Sequence, residues 1–355
     1  RRRLEVTEHL APGSSIMMTW SPDRPGNWLY HCHFTFHVAE GARLGFRPMP
    51  GDHHDMHDAD PMSHMSGLVM GINVTDTANW YRPERSHARK LRLFANEKRD
   101  GKQFQMSYVL QRGNEAPRRD SVEKAGQPIV LEQHEPVDVT IINHTHAATS
   151  VHWHGIELES FSDGVAGWSG SANTLAPMIA PNDSFVARLI VPRTGTFIYH
   201  THLNDLEQIT AGAYGPIIIT EPNKSFDPLT DHVFTVGWHT PTQPPRLLVN
   251  GDSLPVPITM RYNRTQRIRF VNIMPVGQMV ISLERETSPM KWRPVAKDGA
   301  ALPADYQALE LARRSLSAGE TFDAEWTPPA RGRYRITIAS GPNAKSRVVQ
   351  PIRVQ

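Results

Sequence analysis

The sequence holds a single cysteine, Cys32, in 355 residues. A lone thiol excludes an intrachain disulfide framework, so its own chemistry is the better reason for its presence. Charge of one sign is also scarce. A formal net charge of +2 gives no basis for a nucleic-acid or charged-membrane partner. No apolar run approaches the roughly 20 residues that a spanning helix needs. The chain opens on Arg1-Arg2-Arg3, with no methionine and no signal-like stretch, so the natural N-terminus is expected upstream. What is present has the proportions of a globular chain with a real core: 39% hydrophobic and 21% charged residues. The 29 prolines and 24 glycines, set among short Val/Ile/Thr runs, point to an all-β protein rich in turns. The length suits two or three domains.

The densest chemistry lies in Tyr30-His31-Cys32-His33-Phe34-Thr35-Phe36-His37. Side chains alternate faces along a strand, so an extended run would send His31 and His33 one way and Cys32 the other. One strand could then serve two metal sites. A cysteine with two histidines and a weak or absent axial ligand is the blue-copper arrangement. His-X-His recurs at His144/His146, His152/His154 and His200/His202, four pairs with His31/His33. With 18 histidines in 355 residues, chance alone supplies about one such pair, so context must sort them. His200-Thr201-His202 and His31-Cys32-His33 share a lead of glycine, a polar residue, aromatic, aliphatic and tyrosine. His152-Trp153-His154-Gly155 closes an expected strand, Thr149–Val151. His144 and His146 precede it in a loop and are expected to have a surface or supporting role.

Along the chain, Leu4–Thr7, Ser15–Trp20 and Asn27–His33 read as strands, too few for a whole β-sandwich. A polar insert follows at 46–66, with His53, His54, His57, His64 and four methionines. It reads as an acidic loop or as an extra copper-binding segment. Residues 67–76 resume as a strand, and 77–90 read as a basic linker. Residues 91–222 read as one β-domain, with strands at Gln127–Leu131, Val137–Asn143, Ser184–Val191, Gly195–His200 and Gly215–Thr220. Residues 223–355 repeat the style at His232–Gly237, Thr265–Asn272, Glu320–Trp326 and Arg333–Ile338. The segment at about 305–315 is the main helix candidate.

The blocks VHWHG (151–155), YHTH (199–202) and WLYHCHFTFH (28–37), with SDGVAGWSG (162–170), resemble multicopper oxidases of the laccase type. The resemblance implies tandem cupredoxin-like Greek-key β-sandwiches: residues 1–76 as the rear part of a type 1 copper domain, 91–222 as a copper domain, and 223–355 as a copper-free one. It implies four coppers per complete set of sites. His152 resembles a type 2 ligand; His154, His200, His202, His31 and His33 resemble type 3 ligands; Cys32 and His37 resemble type 1 ligands. Asp163, with Asp205 as a second candidate, resembles the acid that helps deliver protons to oxygen. The implied reaction takes single electrons from a phenol or aromatic amine at Cys32/His37 and reduces dioxygen to water at the trinuclear cluster. Cuprous ion is the second substrate class, and a non-catalytic copper-binding protein is the rival of another kind. A copper nitrite reductase fits less well, because there only one histidine flanks the type 1 cysteine. A periplasmic or secreted location and a homo-oligomer are compatible expectations.

The chain also departs from the pattern. The HPxHxHG-type block that would bring a further His-X-His pair and the second type 1 histidine is missing, and is expected before Arg1. The HCH block precedes HWHG, so the domains are permuted or the chain spans the end of one unit and the start of the next. The family's axial spacing after His37 points to Ala42, beside Gly41, as a non-coordinating axial neighbour. Leu68 and Met65 remain open as alternatives.

Overall fold

The computed structural model describes residues 3–38, 67–75, 85–101, 103–124, 128–171, 174–203, 205–239, 246–340 and 346–355. Strands dominate, and the α-helical segments among these residues are the short Ser160–Asp163 and Asp205–Ala211. The expected all-β class is what forms.

Two pairs of sheets make up most of the molecule. In the first, a sheet of Ser184–Ile190, Pro136–Asn143, Arg89–Asp100 and Gln103–Leu110 faces one of Ile129–Glu132, Tyr214–Thr220, Gly195–His200 and His152–His154. Strict alternation explains the pairing. Val137, Val139 and Ile141 along one strand, and Ala187 and Leu189 along its neighbour, all point inward. They meet Trp153, Phe197, Tyr199, Ile217 and Ile219 from the opposite sheet in one core. In the second pair, a sheet containing Asp231–His239, Gln266–Asn272 and Thr321–Trp326 faces one containing Gln278–Arg285, Gly332–Ser340 and Arg347–Val354. Their core is aromatic at its centre, with Phe270, Trp292 and Phe322 in contact.

A smaller seam joins the two sandwiches: Ile198, Ile209 and Tyr214 from the first meet Val271 and Ile273 from the second. Beside it lies a buried ionic network. Asp323, 1% exposed, accepts from Arg269 at 2.8 Å, from Arg267 at 2.8 Å, and from the Thr196 hydroxyl at 2.8 Å. Thr196 is on the strand that ends in His200, so the second sandwich grips that strand directly.

The remaining sheet contains Gly26–His31 paired antiparallel with Val69–Val74, its other edge joining Gly170 of the first sandwich at Asn27. Leu4–Thr7 and Ser15–Trp20 are not strands. Their apolar residues, including Ile16, Met17 and Trp20, stay exposed. The helix expected at 305–315 is a 3-10 turn at Ala304–Tyr306 followed by strands Glu310–Leu311 and Arg313–Ser317. Ala312 and Leu316 have helical spacing and are buried, yet Ala312 bonds backbone to backbone with Met290 and Leu283. Tertiary pairing overrides a weak local preference here. The expected strand Thr149–Val151 is reduced to a bridge from Thr149 to Ile179, and the strand itself is His152–His154. The insert 46–66, with its histidines and Met65, lies outside the described residues, as do Ala42 and residues 77–84.

Candidate metal centre

Three chain segments deliver six histidines to one place. His152 and His154 flank the fully buried Trp153 on a short strand, which pairs with Gly195–His200 so that His152 lies opposite His200. His202 follows two residues later, its backbone N–H donating to Ser150 at 3.1 Å. His31 ends its strand, and the chain then bends into a 3-10 turn at Thr35–His37. His31 and His33 stack with ring centroids 4.9 Å apart, so they share a face as alternation predicts. His31 contacts His202 at 5.2 Å, and His33 contacts His154 at 4.6 Å. His152 closes the group, 5.5 Å from His200 and 5.2 Å from His202. One nitrogen each from His152, His154 and His200 falls within a 4.8 Å span.

Hydrogen bonds at one ring nitrogen leave the other free to bind an ion. The Nδ1 of His31 bonds to the Cys32 carbonyl at 3.0 Å, that of His200 to the Thr201 carbonyl at 2.5 Å, and that of His152 to the Asp163 carbonyl at 3.0 Å. His31 and His200 therefore present Nε2. His154 is engaged at Nε2, 3.3 Å from the Thr7 hydroxyl, and so presents Nδ1. The buried Nδ1 of His202 has no hydrogen-bond partner among the described residues.

Burial holds the rings of His31, His33, His154, His200 and His202 neutral. It pushes His31 down to about 4 and His200 down to about 3, with His152 adding repulsion in both. His33, His154 and His202 lie well below the usual histidine range for the same reason, reinforced by neighbouring imidazoles. Imidazoles packed in stacked and edge-on contacts, one with an orphaned nitrogen, make a donor set suited to a transition-metal ion. Copper fits it on chemistry: imidazole suits copper, and the adjoining thiol extends the set.

Asp163 is brought to the cluster by Gly164, which ends the Ser160–Asp163 helix at φ +86°. A Cβ at that glycine would stand 1.8 Å from the Val151 carbonyl oxygen, so only glycine lets the turn press against the strand leading to His152. The Asp163 carboxylate lies 3.4 Å from His152 Nδ1 and accepts from the Ser169 hydroxyl at 3.1 Å.

On the opposite side of the Cys32 peptide, the thiol sulfur lies 3.3 Å from His37 Nδ1, and the Phe34 N–H points at the same sulfur at 3.5 Å. Leu68 braces this pair through its backbone, accepting from Cys32 N at 3.0 Å and donating to the His37 carbonyl at 2.9 Å. His144 and His146 stay outside. His144 bonds to Asn96 at 3.0 Å, and His146 bonds to Glu97 with its ring largely exposed. Sequence reasoning missed Thr7, which reaches His154 from 147 residues away and carries no local signal.

The multicopper oxidase family model matches at residues 2–52 and again at 123–224. Copper resistance protein A of Pseudomonas syringae pv. tomato is 39% identical over 85 residues, covering 24% of this chain and 13% of that protein. Copper resistance protein A of Escherichia coli is 35% identical over 117 residues, 32% of this chain and 18% of its own length. The matched stretches thus span less than a fifth of these relatives. Among solved structures, blue copper oxidase from Nitrosomonas europaea superposes with a TM-score of 0.58 at 19% identity, covering 76% of this chain and 86% of that one. That likeness supports a cupredoxin-type fold. Both matched stretches contain histidines of the cluster, and over them the chain is similar to multicopper oxidases.

Proposed function

We propose that this chain serves an oxidase that couples one-electron oxidation of a small reducing substrate to reduction of dioxygen to water. In this reading His152 is a type 2 copper ligand. His31, His33, His154, His200 and His202 are type 3 ligands. Cys32 and His37 hold type 1 copper, with Ala42 as axial neighbour. The backbone bonds of Leu68 to both Cys32 and His37 support Leu68 as the alternative neighbour. The observation that carries the reading is the convergence of three His-X-His pairs from separate segments on one buried cluster.

Copper, when bound, supplies one-electron redox chemistry. The chain does the rest. Burial keeps the imidazoles neutral and donating. Carbonyl partners fix the rings of His31, His152 and His200. The Cys32 peptide links the thiol side to both flanking histidines by covalent bonds. Asp163, held by Ser169, is placed to carry a proton beside His152. Residues 1–76 form the rear part of one copper-bearing domain, 91–222 the other copper-bearing domain, and 223–355 the copper-free one.

A phenol or aromatic amine is the substrate class. A second reading, cuprous ion oxidised in copper tolerance, is supported by the 35–39% identity to copper resistance proteins. A periplasmic or secreted site of action suits either, and no helix of the described residues is long and apolar enough to cross a membrane. The test is oxygen uptake by the copper-loaded full-length protein, with a phenol and separately with Cu(I). Uptake lost in His154→Ala supports the reading. Retained copper with no uptake from either donor refutes an oxidase and leaves a copper-binding protein.

A further inference from the structure

Among the described side chains, residues 223–355 bring no histidine to the cluster, yet they touch it. After strand Arg313–Ser317 the chain turns through Ala318 and Gly319, with Gly319 at φ +82°. The turn is pinned on every side. Gly319 N–H donates to the Asn272 carbonyl at 2.8 Å, Ala318 N–H to the Gly277 carbonyl at 3.1 Å, and Ser317 N–H to the Glu320 carboxylate at 2.8 Å. The His33 imidazole lies directly on the bare Cα of Gly319. A Cβ there would stand 2.4 Å from His33 Nδ1, 2.8 Å from Cε1 and 3.0 Å from Cγ. The backbone beside His33 is held from the same side, with Thr35 N–H donating to the Pro275 carbonyl at 3.1 Å. Among the described residues no hydrogen bond fixes the His33 ring, so it is oriented by packing: Gly319 on one side, and the His31 and His154 rings. The facing ring is supported from the same sandwich. Asp298 accepts the Thr7 N–H at 3.0 Å, and the Thr7 hydroxyl meets His154.

We propose that Gly319 is a positioning residue of the metal cluster: its missing side chain is the seat of the His33 imidazole, and through it the second sandwich sets the spacing of His33 from His154. The proposal rests on the reading of these two histidines as copper ligands. An added methyl would have to move the ring by about 1 Å to reach an ordinary contact, a displacement of the size that spoils a preorganised site.

Gly113 provides the matched control. It also has positive φ, at +71°, and nothing lies within 4 Å of the Cβ it would gain. Gly319→Ala and Gly113→Ala thus share backbone strain and differ in the clash. Cu(II) affinity is measured by competition with a chelator, and stability by thermal melting of the metal-free protein. Gly113→Ala is expected to bind Cu(II) like the parent. Gly319→Ala should bind about 10–100-fold more weakly, the range seen when groups supporting a ligand are lost. It should also melt below Gly113→Ala, and that extra loss should vanish in a His33→Ala background, where the methyl has room. Equal Cu(II) affinity in the two glycine variants overturns the proposal, and so does an extra destabilisation that survives His33→Ala. A parent protein that binds no Cu(II) overturns the ligand reading itself, while the melting cycle still reports the contact with His33.

Discussion

Acid should unfold the metal-free protein by way of its histidines. His31 and His200 lie at about 4 and about 3 in the folded chain, against 6.5 for the ordinary group. Above pH 6.5 both are neutral in either state and contribute nothing. As pH falls below 6.5 the unfolded chain takes up protons that the folded cluster refuses, so stability drops with pH. At about 1.36 kcal/mol per pH unit, each of the two costs about 2 kcal/mol by pH 5. His31 costs about 3 kcal/mol at pH 4 and levels off below it. His33, His154 and His202 act in the same direction. Glu5 and Glu320, whose carboxyls burial pushes up, act in the opposite direction. Two histidines alone thus remove about 4 kcal/mol by pH 5, a large part of an ordinary stability of 5–15 kcal/mol. Urea unfolding in the presence of a chelator, repeated from pH 7.5 to pH 5, measures the slope. It should approach two or more protons per chain near the acid end, and His200→Asn should lower it by one. A stability that is flat between pH 6.5 and pH 5 would refute the buried neutral cluster.

Three further outcomes follow from particular contacts. Asp323→Ala leaves the buried Arg269 guanidinium short of a partner, and should cost about 3–5 kcal/mol in urea unfolding. Trp153→Ala empties a fully buried site between two cluster histidines, and should cost about 3–5 kcal/mol while weakening Cu(II) binding. Cys32→Ser should abolish any intense blue absorption of the copper-loaded protein yet leave Cu(II) bound at the six histidines, which metal analysis will read. Blue colour surviving in that variant would exclude Cys32 as the source.

The sequence made the cluster legible because three of its pairs share one physical device. Alternation along an extended segment puts His31 with His33, His152 with His154 and His200 with His202. The neighbouring Trp153 and Tyr199 turn into the core. His144 and His146 have the same spacing, but they follow a strand end in a loop and engage Asn96 and Glu97 instead. Strands with clean alternation, such as Pro136–Asn143, were readable almost to the residue. Failures came where long-range partners decide. Ser15–Trp20 reads as a strand but pairs with none among the described residues, and Arg313–Ser317 has helical spacing but is captured by Gln278–Arg285. Thr7 and Gly319 were invisible for the same reason. Each is an ordinary residue of an ordinary turn or extended segment until the fold sets it against a ring.

The strand Gly195–His200 is buried along its whole length on both faces. Phe197 and Tyr199 belong to one core, and Ile198 to the seam with the other sandwich. Half of this strand's surroundings therefore do not exist until the second sandwich has closed. Its amides should be among the last in the chain to exchange with deuterium, opening only when the molecule unfolds as a whole. A metal ion would then be a late arrival: His200 takes its place only in a finished protein, and maturation runs from folding to loading.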